Sequence, residues 1–259
     1  MMRMPALFVN HGGGPMPLMG RQPMIAHHLQ QSVTEYITEK PRAIVVISAH
    51  HEANPIAITS SAKPSMYFDY YGFPPETYQF KYPAPGNPEL ARQIQNLLSE
   101  KGIESQLDAK RGFDHGAFVP LMLMYPEADI PVVCVSLHSS LSPDIHLALG
   151  NALAPLQDQG VLLLGSGFAF HNFDAMRNPD EASYKKSNDF NNWLKDAVMT
   201  NPMEKLRDWK NAPSARFAHP REEHLLPLLV TAAAGGSPRI IYDQQAGDGN
   251  FAISGYMFQ

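Results

Sequence analysis

The stretch that most constrains the fold is residues 43–52, which read AIVVISAHHE. Its first part is a continuous apolar run rich in β-branched residues, which is typical of a strand buried on both faces of a sheet. The run ends abruptly in two histidines and a glutamate. Because ligands of open α/β sheets bind just beyond the carboxyl ends of such strands, this stretch predicts a polar site at one edge of a buried sheet.

Two further apolar runs end in a similar way. Residues 6–10 lead directly to His11, and residues 161–167 lead to His171 a few positions later. Three strands that each deliver a histidine to their exits favour one metal or catalytic pocket over three unrelated histidines.

The rest of the chain alternates helical and strand patterns, which predicts an α/β fold. Helices are expected at residues 23–39, 88–101, 117–124, 143–158, 181–198 and 220–234. Strands are expected at 4–10, 43–52, 56–59, 103–107, 131–137 and 161–165, with two antiparallel strands at 240–242 and 252–258. Since the 259 residues contain no internal repeat and no linker-like segment, we predict a single domain over residues 1–259.

The composition argues against several classes of partner. The formal net charge is −5 and no basic cluster occurs, which disfavours nucleic-acid binding. No apolar run approaches the roughly 20 residues of a membrane span, and the first residues lack a signal-peptide pattern. The one cysteine, Cys134, fits a reducing compartment. We therefore expect a soluble cytoplasmic protein without a membrane partner, and the sequence leaves a homo-oligomer open.

Residues 53–88 are rich in proline and aromatic side chains, and we expect them to form an excursion over the strand ends. Long ordered loops of this kind are usually functional. Its aromatic residues either wall a binding site or pack a satellite core, and they are Tyr67, Phe68, Tyr70, Tyr71, Phe73, Tyr78, Phe80 and Tyr82.

The 11 histidines divide into two groups. Four are expected to be ordinary surface or core residues, namely His27, His28, His138 and His146. The other seven mostly lie at strand exits or beside glycine turns, and they are His11, His50, His51, His115, His171, His219 and His224. Neutral imidazole is the commonest metal ligand, and catalytic sites often combine three protein ligands with open positions.

Local geometry separates the neighbouring histidines. Successive side chains of a strand point to opposite faces, so only one of His50 and His51 is expected to enter the pocket. We favour His50, with His51 on the rim of the pocket or behind it. Glu52 is then a candidate to fix the tautomer of a ligand. His219 and His224 do not share a helical face, and His224 is the better ligand candidate.

A carboxylate could also replace His224 as an oxygen ligand. Glu222 and Glu223 are the two candidates, since both adjoin His224 in the sequence.

Seven short motifs, spread from about residue 4 to residue 236, resemble the class III extradiol ring-cleavage dioxygenases, most closely the DOPA 4,5-dioxygenase type. They are His11 in a strand-exit turn, Ser48-Ala49-His50, Tyr71-Gly72-Phe73-Pro74, the run KYPAPG at 81–86, Phe113-Asp114-His115-Gly116, His171-Asn172, and His219-Pro220 followed by Glu223-His224 and Leu226-Pro227-Leu228. The KYPAPG and Asp-His-Gly motifs are specific in combination.

The resemblance implies a single three-layer α/β/α domain around a central mixed, largely parallel sheet. It implies that His11, His50 and His224 bind a metal, with ferrous iron (Fe2+) expected and zinc (Zn2+) as the alternative. The expected reaction opens the ring of a small aromatic diol of the catechol type with O2.

The resemblance also implies roles for residues beside the metal. His171 is expected to act as acid and base or as an added ligand, and His115 to contact the substrate. Tyr71 and Phe73 are expected to wall the substrate ring. Two further functions stay open, namely a zinc-dependent hydrolase that uses the same histidines and a non-catalytic binding protein of the same fold.

Two departures from the family pattern bear on substrate choice. His51 stands where relatives usually carry an aromatic residue, and the turn after His11 is richer in glycine. Moreover, the common non-haem iron site uses two histidines and a carboxylate. A histidine at position 224 removes that negative charge, and three histidines also suit zinc.

Overall fold

The fold is built on one mixed sheet, seen in a computed structural model that describes residues 3–259. Its strands are β1 (Ala6–Asn10), β2 (Ala43–Ala53), β3 (Ile56–Thr59), β4 (Ser105–Asp108), β5 (Val132–His138), β6 (Val161–Gly167), β7 (Pro238–Gln244) and β8 (Ile253–Phe258). They lie in the order β4-β3-β5-β2-β6-β1-β8-β7. The central strands β5, β2, β6 and β1 are parallel to one another, and β8 and β7 continue antiparallel. The predicted mixed, largely parallel sheet is confirmed.

Helices cover both faces of the sheet. They are α1 (Pro23–Tyr36), α2 (Pro88–Glu100), α3 (His115–Met124), α4 (Pro143–Leu153), α5 (Phe173–Arg177), α6 (Glu181–Thr200), α7 (Pro202–Arg207), α8 (Ala215–Ala218) and α9 (Leu226–Ala233). Within residues 3–259, none of these helices has both the length and the apolar character that a membrane crossing requires.

Strand β2 shows why the sheet needs cover on both faces. Val45 and Ile47 pack into one apolar cluster with α2, α4, α6 and α9, whereas Ile44 and Val46 pack into a second cluster with α1 and α3. All four side chains are fully buried. The alternation of a strand therefore puts its apolar residues into two cores, which gives the three-layer α/β/α arrangement expected from the sequence.

Two helix starts follow from capping residues. Asn87 accepts a hydrogen bond from the backbone N–H of Leu90 at the start of α2, as its sequence position predicts. The carboxylate of Asp114 accepts from the N–H of Ala117, so α3 begins at His115, two residues before the predicted start.

The predicted helix over residues 220–234 is wrong in its first half. Helix α9 begins only at Leu226, and His224 lies in the turn before it. The carbonyl oxygen of His224 accepts a hydrogen bond from the N–H of Phe168, which follows β6. This contact with the strand end replaces a helical hydrogen bond and places His224 against the sheet edge.

The aromatic excursion mostly builds a satellite core. Phe68 packs edge-on against Tyr70, Tyr78 and Phe118 of α3, and the rings of Tyr70 and Tyr78 are tilted against each other. Tyr71 differs, since it is 92% exposed.

Candidate metal centre

Three imidazole rings converge at the carboxyl edge of the sheet. The Nε2 atoms of His11 and His50 lie 3.0 Å apart, and those of His50 and His224 lie 3.3 Å apart. His11 follows β1, His50 lies near the end of β2, and His224 is held against the end of β6. Nitrogen atoms bound to one cation at about 2.1 Å, with angles of roughly 90–105° between them, lie about 3.0–3.3 Å apart. The observed spacing therefore fits a shared metal ion.

A hydrogen bond at Nδ1, the ring nitrogen that faces away from the cluster, fixes the tautomer of His11. Its Nδ1 lies 3.0 Å from the hydroxyl oxygen of Ser166 in β6. The Ser166 hydroxyl donates its proton to the carbonyl oxygen of Gly116, which can only accept. Ser166 must therefore accept a hydrogen bond from Nδ1–H of His11. The Nε2 atom of His11 then presents a lone pair to the centre of the cluster.

His224 is held in the same tautomer as His11, with the proton on Nδ1. Its Nδ1 lies 2.8 Å from a carboxylate oxygen of Glu223, so it carries the proton and donates it to that oxygen. The lone pair on Nε2 of His224 points towards Nε2 of His50, 3.3 Å away, which Nε2 of His11 also approaches at 3.0 Å. Lone pairs at such distances repel each other unless a cation lies between them, which makes this donor set suited to a metal.

Burial keeps these rings neutral. It lowers the pKa of His11 and of His224 well below the ordinary value for histidine, and neighbouring histidines add to the effect. Burial, followed by the nearby His115, lowers the pKa of His50 to about 4. Neutral imidazole is the form that binds a metal, so the cluster is ready for one near neutral pH.

His115 lies beside the cluster and is anchored by Asp69. The Asp69 carboxylate accepts hydrogen bonds from Nδ1 of His115 at 2.9 Å and from its backbone N–H at 2.8 Å. The ring of His115 lies 3.9 Å from that of His50. Burial alone would raise the pKa of Asp69, but the hydrogen bonds from His115 outweigh it and lower that pKa.

His171 stacks on the outer side of His224. The two rings are nearly parallel, with centroids 3.4 Å apart and an interplanar angle of 16°. Nδ1 of His171 lies 3.5 Å from the same oxygen of Glu223 that His224 contacts. Phe173 adjoins the His171 ring at 4.7 Å and is 59% exposed. Burial lowers the pKa of His171 to about 3, so the ring is neutral near pH 7.

An ion-pair network lies behind Glu223. Arg221 donates to both carboxylate oxygens of Glu52, at 2.6 and 2.7 Å, and to Glu223 at 3.2 Å. Burial raises the pKa of Glu223, and the charge of Arg221 opposes that rise. Glu52 thus contacts Arg221 and not a ligand ring, in contrast to its predicted role as a tautomer-fixing group.

The structure brings together five of the histidines singled out from the sequence, namely His11, His50, His115, His171 and His224. His219 does not join them. Its Nε2 lies 3.0 Å from the carbonyl oxygen of Ala169, and its ring packs against Phe190 and Trp209 in the core. His51 is buried, and its Nδ1 finds no hydrogen-bond partner among residues 3–259.

The two aromatic residues expected to wall the substrate differ in position. Phe73 packs edge-on against Tyr70, with ring centroids 5.4 Å apart. Tyr70 lies 6.0 Å from the ring of His115, whereas Tyr71 points into solvent. The aromatic residue of this segment that adjoins the histidines is therefore Tyr70, and a role for Tyr71 remains a prediction.

Sequence reasoning missed three residues of the site. Ser166 orients His11, Asp69 anchors His115, and Phe168 lies 5.3 Å from the ring of His11. Ser166 and Phe168 could have been suspected because they lie at the end of β6. Asp69 could not be found from a local pattern, since 46 residues, including α2 and β4, separate it from His115 in the sequence.

Gly167 has no side chain, which allows the turn that carries His224 to approach the end of β6 closely. A Cβ at this position would lie 2.1 Å from the carbonyl oxygen of His224. Gly167→Ala is therefore expected to lower the free energy of unfolding by about 1–3 kcal/mol, as overpacking does elsewhere. Urea unfolding measures this effect.

Gly13→Ala is the matched control for this prediction. Its added Cβ would meet only the flexible end of the Met16 side chain. Equal stabilities of the two variants would contradict the proposed packing of the His224 turn against β6.

The three-layer α/β/α fold carries neutral, inward-facing histidines at the carboxyl edge of its sheet, an arrangement suited to a metal-dependent enzyme. Residues 4–259 match the family described as the catalytic LigB subunit of aromatic ring-opening dioxygenase. The chain belongs to this family, and is thus a ring-opening dioxygenase of the extradiol type. Members of the family are metal-dependent, in agreement with the histidine cluster.

Several relatives match over most of the chain. A 4,5-DOPA dioxygenase extradiol of Beta vulgaris is 42% identical, over 88% of this chain and 86% of its own length. The protein named dioxygenase tasH of Hapsidospora irregularis is 39% identical, over 89% of this chain and 78% of its own length. The crystal structure of an uncharacterized Escherichia coli K12 protein superposes with a TM-score of 0.80 at 30% identity, and the match covers 99% of this chain and 100% of that one.

Proposed function

We propose that this protein opens the ring of a catechol-type substrate with O2, next to its two hydroxyl groups, and that iron(II) bound by His11, His50 and His224 supports the reaction. The convergence of three Nε2 atoms, with Nδ1 of His11 and of His224 each bonded from behind, carries this proposal. Relatives named for DOPA make a DOPA-like catechol the first substrate to test.

The metal supplies what the side chains cannot. A ferrous ion at this site would contribute Lewis acidity towards adjacent hydroxyl groups and redox chemistry towards dioxygen. Three neutral imidazoles give this centre a more positive net charge than two histidines with a carboxylate would. That charge favours binding of a deprotonated diol.

His171 is suited to take a proton from the substrate. It is neutral near pH 7, and its Nδ1 faces Glu223, so Nε2 is the atom left to accept a proton. Its ring stacks on that of His224, and it does not belong to the group formed by His11, His50 and His224. This position favours the acid and base role over that of a fourth ligand.

His115 is suited to bind a substrate oxygen. Asp69 accepts from Nδ1–H of His115, which orients the ring and leaves Nε2 to bind a substrate hydroxyl group. A proton shared between that hydroxyl group and Nε2 would stabilise negative charge that develops on oxygen during ring opening. Phe73, with Tyr70, is proposed to border the substrate ring, and Tyr71 to lie at the mouth of the site.

We infer the cellular location and the partners of the protein from its sequence. A net charge of −5 and a single cysteine are consistent with a cytoplasmic enzyme whose partners are a small aromatic diol and O2. Oligomeric state stays open and is measured directly by sedimentation.

One experiment tests the function and the metal together. Protein prepared without oxygen is loaded with Fe2+ or with Zn2+, its metal content is measured, and substituted catechols are then screened. We expect oxygen uptake and a yellow ring-opened product with the iron form only. Anaerobic hydrolysis by the zinc form would support a hydrolase instead, and failure to bind either metal would support a binding protein.

A further inference from the structure

Glu223 faces two histidines with a single oxygen atom. Its Oε1 lies 2.8 Å from Nδ1 of His224 and 3.5 Å from Nδ1 of His171. Because the two rings are stacked nearly in parallel, one carboxylate oxygen lies against the same edge of both. The Glu223 side chain is only 11% exposed, so water competes little for this contact.

The other oxygen of Glu223 is held from outside. Arg221 donates to Oε2 of Glu223 and to both oxygens of Glu52. Glu52 belongs to β2, two residues after His50. The network therefore joins the strand that carries His50 to the turn that carries His224, and fixes the carboxylate of Glu223 between them.

We propose that Glu223 is a positioning residue that keeps His224 protonated on Nδ1 and, through that ring, partly offsets the positive charge of a centre held by three neutral imidazoles. The inference rests on His224 being a metal ligand, as proposed above. Glu223 lies on the Nδ1 side of His224, opposite the converging Nε2 atoms, so it acts on the metal through the imidazole. A carboxylate that accepts from a ligand histidine makes that ring a stronger donor.

Glu222 offers a matched comparison within the same turn. It pairs with Arg216 at 2.7 Å and with Lys210 at 3.1 Å, and its side chain is 14% exposed, close to the value for Glu223. Its substitution by glutamine makes the same chemical change one residue away, without altering the contact with His224.

The test measures binding of Co2+, which requires neither catechol nor O2. Affinity is obtained by competition with a chelator, and the visible absorption of bound Co2+ reports its ligand field. E223Q is expected to bind Co2+ about 10–100-fold more weakly than the unaltered protein, with a shifted spectrum. E222Q is expected to match the unaltered protein in both measurements.

Three outcomes would overturn the inference. Unaltered Co2+ affinity and spectrum in E223Q would show that the charge of Glu223 does not act on the metal. An equal loss of Co2+ affinity in E222Q would show that either substitution disturbs the turn. If H224A binds Co2+ as tightly as the unaltered protein, the ligand assignment fails, and the inference fails with it. Loss of binding in H224A but not in E223Q overturns the inference alone.

A second pair of variants covers the case in which E223Q does not fold. Glu223→Asp and Glu223→Asn have equal length and differ in charge. The aspartate variant is expected to bind Co2+ more tightly than the asparagine variant, and equal affinities would overturn the proposal.

Discussion

Replacing His171 by alanine is expected to lower the kcat of ring opening by about 10²–10⁴-fold, the usual contribution of a general base, while the bound metal is retained. His171 is neutral near pH 7 and stacks on His224, with Nε2 free to accept a proton. Its removal leaves the three converging nitrogens in place. Oxygen uptake with a catechol measures the loss of activity, and metal analysis of the same sample measures retention.

Two comparisons make this result specific. His27→Ala alters an exposed histidine of α1 and is expected to leave both activity and metal content unchanged. His50→Ala is expected to lose metal and activity together. Full activity in His171→Ala would remove the base assignment, and loss of metal from that variant would instead make His171 a ligand.

The parts of the site that lie on strands could be predicted from the sequence. The apolar run of β2 predicted a polar site at its exit, and the alternation of a strand indicated that only one of His50 and His51 enters it. Alternation alone did not decide between them, and β2 shifts its register between Ile47 and Glu52. The edge position of His11 and His171 followed from the rule that parallel strands end at a common edge. The sheet order itself depends on long-range pairing that no local pattern encodes.

The parts that lie in irregular chain could not be predicted in the same way. The apolar spacing of residues 220–234 suggested one helix, but the hydrogen bond from Phe168 to the carbonyl of His224 keeps the first residues in a turn. In the aromatic excursion, neighbouring Tyr70 and Tyr71 have opposite exposures. Packing against α3 sets the direction of each side chain there. Because the segment has no hydrophobic periodicity, its sequence does not predict which side chains are buried.

Acidification from pH 7 to about pH 5 is expected to unfold the metal-free protein. Burial lowers the pKa of His50, His146 and His219 to about 4 each. It also lowers the pKa of His171 to about 3, and those of His11 and His224 well below the ordinary value. In the unfolded chain all six histidines titrate near their ordinary pKa of about 6.5.

The sign of the effect follows from proton uptake. Between about pH 6.5 and pH 4 the unfolded chain binds protons that the folded protein excludes, so stability is full above pH 6.5 and falls as the pH is lowered. A histidine whose pKa is lowered from about 6.5 to about 4 accounts for roughly 3 kcal/mol over that range. Down to pH 5, the four histidines with a pKa of about 3 or 4 contribute roughly 2 kcal/mol each. Together they match the stability of a typical domain, about 5–15 kcal/mol.

Urea unfolding of the metal-free protein at a series of pH values measures this dependence. His219→Gln removes one buried titrating ring away from the converging nitrogens, and is expected to reduce the slope by up to about 1.4 kcal/mol per pH unit. His27→Ala, at an exposed position, is expected to leave the slope unchanged. A free energy of unfolding that stays constant between pH 7 and pH 5 would show that the histidines are not held neutral by burial. The same neutrality is what makes His11, His50 and His224 available to a metal, so the acid stability of the empty protein tests the electrostatic basis of the site independently of its chemistry.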